Sequence, residues 1–149
     1  MSEIHVLVVD DEKEIADLVE IYLVSDGYKV YKASNALEGL EILEKETIHL
    51  VLLDIMMPDA DGFTVLKYMA DNHYIEDIPV IAVTDDESPG ALRRAYEMGV
   101  SDFIARPFDA KVVYRRVSNT INLHEKQRRL ISAVSDEMLE REKNSHILV

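Results

Sequence analysis

The sequence predicts an open, doubly wound α/β domain on a five-stranded parallel sheet. Two observations carry this. Short apolar runs alternate with stretches of helical periodicity along most of the chain. Several of the runs are continuous rather than strictly alternating, as strands buried on both faces require, and each is followed by the ten or so residues of a crossover helix. Right-handed crossovers then lay the strands side by side in parallel.

"IHVLVV" (4–9) opens as a buried strand, and "DEKEIADLVEIYLVSDG" follows with Ile15, Leu18, Val19 and Tyr22 at helical spacing and Gly27 as the stop. "YKVYKA" (28–33) alternates as a strand. "SNALEGLEILEKE" reads as a helix capped by Ser34 or Asn35. "IHLVLLD" (48–54) is a second continuous apolar strand, and it ends in an aspartate. "IMMPDADG" is a loop in which Pro58 fixes φ and Asp59, Asp61 and Gly62 favour tight bends or a cap. Residues 63–72 are helical, "IPVIAVT" (78–84) is a strand, 88–98 is a helix closing at Gly99, and "DFIA" (102–105) is a short strand. A fifth helix starts near Asp109.

The 149 residues suit one domain with an appendage, and 48% hydrophobic content can fill a core. The absence of cysteine excludes disulfides and thiolate metal sites. No leader-like start and no run of about 20 apolar residues is present, so a cytoplasmic, non-membrane protein is expected. The net charge of −13 is uneven: residues 1–108 hold 8 Lys/Arg against 23 Asp/Glu, and residues 109–149 hold 8 against 6. Such an acidic body repels DNA phosphates, which argues against direct nucleic-acid binding.

In doubly wound sheets ligands bind beyond the carboxyl ends of the strands. Asp10 and Asp11 end the first strand, Asp54 the third and Thr84 the fourth, and Arg106 follows the fifth. Three carboxylates, a hydroxyl and a cation therefore converge on one edge. Carboxylates so crowded need a counter-ion, and a hard divalent ion such as Mg²⁺ takes oxygen ligands of this kind. A plain helix cap explains Asp10 or Asp11 alone equally well, but it does not explain Asp54 on a separate strand.

"VLVVDDE", "LVLLDIMMPDADG", "PVIAVT" and "DFIARPFD", in this order and spacing, resemble the receiver domain of two-component response regulators over about residues 3–122. The resemblance implies the flavodoxin-like strand order 2-1-3-4-5. It implies that Asp54 accepts a phosphoryl group from a histidine kinase, a phosphotransfer protein or a small phosphodonor. Mg²⁺ would be held by Asp11, Asp54 and the main-chain carbonyl of Met56, with Asp10 acting through water. Thr84 and Arg106 would bind the phosphoryl oxygens. Thr84 and Phe103 would form the switch that reshapes the face made by the fourth helix, fifth strand and fifth helix. The bond before Pro107 would be cis. The chain would thus be a signalling switch, and an enzyme only toward its own phosphorylation and dephosphorylation.

Two positions depart from the family pattern. Arg106 stands where lysine is usual, so the charge is kept but a planar fork replaces a point charge. Asp85 stands where a small residue is usual, and it could pair with Arg106 at rest or point to solvent. A degenerate receiver, acting as a phosphate-independent interaction module, is therefore the alternative reading. A haloacid-type phosphohydrolase also uses a strand-end aspartate, but "DIM" lacks the second carboxylate of its D-x-D motif.

The receiver-like body ends near 122, and 123–149 is expected to extend the fifth helix to about 143, as a linker to an output domain. Leu130, Ile131, Val134 and Met138 make a short apolar seam there, while His124, Gln127 and Arg128 break the heptad upstream. Self-association through this helix or through the switch face, and a helix folded back on its own body, are the options for covering the seam.

Overall fold

The computed structural model describes residues 3–58, 61–84 and 89–147. Strands β1 (His5–Val9), β2 (Lys29–Ala33), β3 (Leu50–Asp54), β4 (Val80–Thr84) and β5 (Asp102–Ala105) form one parallel sheet in the order β2-β1-β3-β4-β5. The helices are α1 (Lys13–Ser25), α2 (Ala36–Lys45), α3 (Asp61–Asp71), α4 (Tyr74–Asp77), α5 (Pro89–Glu97) and α6 (Ala110–Ile147).

Six helices are described where the sequence predicted five. The addition, α4, is a single turn entered through His73 in the left-handed region (φ 62°) and closed by the Ile78 N–H donating to the Tyr74 carbonyl at 2.8 Å. Four residues cannot display a 3.6-residue period, so no apolar spacing announces them. The helix predicted at 88–98 is accordingly α5, and the fifth predicted helix is α6.

Alternation along the strands feeds two cores. Leu7, Val9, Val51, Leu53, Val80 and Ala82 pack against α2, α3 and α5 on one face. Val6, Val8, Leu50, Leu52, Ile81, Val83 and Ile104 pack against α1 and α6 on the other. β1, β3 and β4 are buried throughout, apart from half-buried His5, which is why their sequences are continuous apolar runs. β2, an edge strand, keeps Lys29 and Lys32 exposed and reads as alternating.

Local chemistry sets the helix ends. Asn35 caps α2 by accepting from the Glu38 N–H at 2.9 Å, and Glu38 accepts in return from the Ser34 N–H at 3.0 Å. The first bond satisfies a donor that a helix start otherwise leaves unbonded, and the second ties α2 to the residue ahead of its cap. Gly27, at φ 92°, turns the chain from α1 into β2 where a side chain would be strained. The first turns of α6 lie on the body through Val113, Val117 and Ile121, and Arg116 clamps Asp102 of β5 at 2.9 and 3.0 Å. The helix then continues past the body.

Candidate functional site

Parallel register brings the strand ends to one edge. Val9 pairs with Leu53, Asp54 with Val83, and Thr84 with Ala105, so the residues just beyond β1 adjoin the last residues of β3, β4 and β5. Carboxylate oxygens of Asp10, Asp11 and Asp54 lie within 4.8 Å of one another. Asp10 and Asp54 are buried, at 5% and 2% exposure, while Asp11 faces solvent.

Main-chain donors fix the two buried carboxylates. Asp10 Oδ1 accepts from the Glu12 N–H at 2.9 Å, and Asp54 Oδ1 accepts from the Met56 N–H at 2.9 Å. The cap expected as the plain role of Asp10 or Asp11 is only partly realised. Asp10 bonds the N–H of Glu12, which is itself the N-cap of α1 and offers no side-chain cap.

Arg106 is the counter-ion. Its Nη2 donates to Asp10 Oδ2 and, at 3.3 Å, to Asp54 Oδ2, while Nη1 reaches Glu12 Oε1 at 3.4 Å. A single nitrogen, Nη2, thus bridges the carboxylates that follow β1 and end β3, and the other arm of the planar fork reaches a third carboxylate on Glu12. The Arg106 N–H donates to the Thr84 carbonyl at 2.8 Å, tying the cation's backbone to β4. The Arg106–Pro107 bond is cis. Asp85, weighed above as a partner for Arg106, lies outside the described residues, as does Asp59.

The surroundings of Asp54 shift it toward its protonated form. Its carboxyl is raised from 3.8 to about 7, chiefly by burial; the Met56 N–H and Arg106 oppose this, while Asp10 and Asp11 add to it. A buried carboxylate among like charges gains from any further cation nearby.

Gly62 has a larger part than the turn predicted for it. A Cβ there would sit 2.3 Å from the Asp54 carbonyl oxygen and 2.5 Å from the Ile55 Cα. α3 therefore begins directly against the backbone of the Asp54 strand end, an approach only glycine permits. The sequence signal was Gly immediately after an acidic loop, but its meaning depends on a contact eight residues back.

Thr84 is fully buried at the end of β4. Phe103 is half-buried on β5, in register with Ala82, so it shares Thr84's sheet face two residues lower. Its ring meets Tyr96 of α5 edge-on at 5.9 Å. Met56 is exposed at the turn after Asp54.

An apolar cleft of about 420 Å³, lined by Ile15, Leu18, Arg106, Pro107 and Phe108, adjoins the carboxylates. A second, also of about 420 Å³, lies at the opposite edge of the sheet among Leu43, Ile48, His49, Tyr74 and His124, and shares no residue with the site. No described helix is long and apolar enough to cross a membrane.

Comparisons with known proteins identify the family and the fold. The family described as "Response regulator receiver domain" matches residues 6–118. The regulatory protein VanR of Enterococcus faecium is 36% identical over 121 residues, 81% of this chain and 51% of that protein. VanRc of Enterococcus gallinarum is 35% identical over 148 residues, 99% of this chain and 62% of that protein. The chain therefore spans roughly half to three-fifths of these relatives. A receiver domain protein (CheY-like) from Methanospirillum hungatei JF-1 superposes with a TM-score of 0.78 at 28% identity, covering 85% of this chain and 99% of that one.

Proposed function

The chain belongs to the response regulator receiver domain family of two-component systems, and from that premise we propose that it accepts a phosphoryl group on Asp54 and passes its state on through α5, β5 and α6. The observation that carries this is the clustering of Asp10, Asp11 and Asp54 within 4.8 Å at the strand ends, with Arg106 bonded to Asp10 and Asp54.

Asp54 is the nucleophile. A carboxylate oxygen attacks phosphorus, the bond from phosphorus to the donor's nitrogen or oxygen breaks, and its electron pair leaves with the donor. The Met56 N–H holds Oδ1, which orients the group. The oxygen donors fit a hard divalent ion: Asp11 and Asp54 would ligate Mg²⁺ with the Met56 carbonyl, and Asp10 would act through water. Bound there, Mg²⁺ supplies positive charge to the oxygens of the transferring group. Arg106 leaves Asp54 and bonds the phosphoryl oxygens, and the Thr84 hydroxyl turns toward the same oxygens. Space vacated by Thr84 is then open to Phe103, two residues away on the same face, and the ring's movement alters the packing of Tyr96 on α5.

The donor is a histidine kinase or a phosphotransfer protein. The apolar cleft of Ile15, Leu18, Pro107 and Phe108 beside Arg106 offers such a partner a surface next to the acceptor. The receiver body extends to about residue 122, and the rest of α6, to Ile147, is a helical connection to whatever reads the state.

Incubation with acetyl phosphate and Mg²⁺, followed by intact mass, tests the acceptor. Wild type gains about 80 Da and Asp54→Asn gains nothing. Wild type without an adduct at any time point rejects phosphotransfer and favours a phosphate-independent module, whose partner binding Asp54→Asn would leave unchanged.

A further inference from the structure

Every residue from Glu125 to Glu142 on the outer half of α6 is exposed, although Glu125, Gln127 and Arg128 also line clefts with residues of the body. Leu130 (66% exposed), Ile131 (67%), Val134 (53%) and Met138 (64%) nevertheless fall within about 100° of one side at 100° per residue. Leu123, 57% exposed, lies on the same side and carries the stripe back to the body. An isolated helix in water is marginal without something packed on such a stripe.

We infer that a second copy of this chain covers it, with the two α6 helices antiparallel and a twofold axis at Val134. The charges choose the direction. With Ile131 and Met138 at a positions and Val134 at d, a parallel pair sets Arg141 against Arg141 at the seam and Glu137 against Glu142 on its flank. The antiparallel pair removes both conflicts. Val134 meets Val134, Ile131 lies beside Met138, Gln127 faces Arg141, and Arg128 faces Glu142 on each side of the axis. Arg141, already 2.9 Å from Glu137 in its own helix, then keeps that pair and meets a neutral amide. The contact is independent of phosphoryl chemistry at Asp54.

The sequence has no cysteine, so single substitutions report only the introduced thiols. Sedimentation equilibrium of the full chain should show a monomer–dimer equilibrium that Val134→Asp weakens at least about tenfold. Under diamide, Val134→Cys should cross-link to itself. Gln127→Cys and Arg141→Cys should each fail alone, at about 21 Å between like residues, and should cross-link when mixed. Arg128→Glu should weaken association, and Arg128→Glu with Glu142→Arg should restore it. A chain that stays monomeric at all concentrations, a dimer indifferent to Val134→Asp, or Arg141→Cys cross-linking to itself overturns the proposal.

Discussion

Burial holds the Asp54 carboxyl at about 7, against 3.8 ordinarily. Between those values the folded chain keeps a proton that the unfolded chain has released, so stability falls as pH rises through the window. Asp54→Asn removes that penalty. In metal-free buffer at pH 8 it should raise unfolding free energy, by on the order of 4 kcal/mol at most, and the gain should vanish near pH 4 in urea titrations. Arg106→Ala acts oppositely: it strands Asp10 and Asp54 in the interior and should cost about 3 kcal/mol at pH 8 by the same measurement. His49 has the reverse pH sign from Asp54. Its Nδ1 accepts from the His5 N–H at 2.9 Å, and burial, with His5 nearby, holds its pKa below 6.5. The folded chain therefore resists a proton the unfolded chain accepts, and stability falls as pH drops below about 6.5. His49→Asn, which keeps an acceptor and cannot titrate, should flatten that acid limb.

At the scale of elements, α3 depends on one missing methyl group. Gly62→Ala forces a Cβ to 2.3 Å from the Asp54 carbonyl oxygen, so α3 or the strand end must shift. The expected loss is about 2 kcal/mol or more, with slower adduct formation at Asp54, read by urea melts and intact mass. Asn35→Ala should cost only about 1 kcal/mol, since it removes a single cap far from the carboxylates. The contrast explains what the sequence made legible. A cap is local chemistry within four residues, so Asn35 was readable. The close approach at Gly62 is a contact between two elements, so the residue was read as a turn former and no more. The single turn of α4 was unreadable because it is shorter than its own period.

For the whole molecule, the two cores and the projecting helix should respond differently. Leu7→Ala, at a site with no solvent access between the sheet and its helices, should cost about 3 kcal/mol. Val134→Asp, on the exposed length of α6, should leave chemical stability at low protein concentration within about 0.5 kcal/mol. α6 is thus one helix in two environments: its first turns belong to the core through Val113, Val117 and Ile121, and its outer half answers only to what binds it.

The sequence alone determined the strand count, the parallel direction and the meeting of Asp10, Asp11, Asp54, Thr84 and Arg106 at one edge, and the strand order followed from the family resemblance. Continuous apolar runs admit only strands covered on both faces, and parallel strands share an end. The tertiary structure decided how charge is arranged within that edge. Arg106 lies 96 residues from Asp10 and 52 from Asp54 along the chain, so which carboxylates its fork spans depends on side-chain reach across three strand ends. Likewise, the proton affinity of Asp54 is a property of burial and of neighbours that only the assembled sheet supplies.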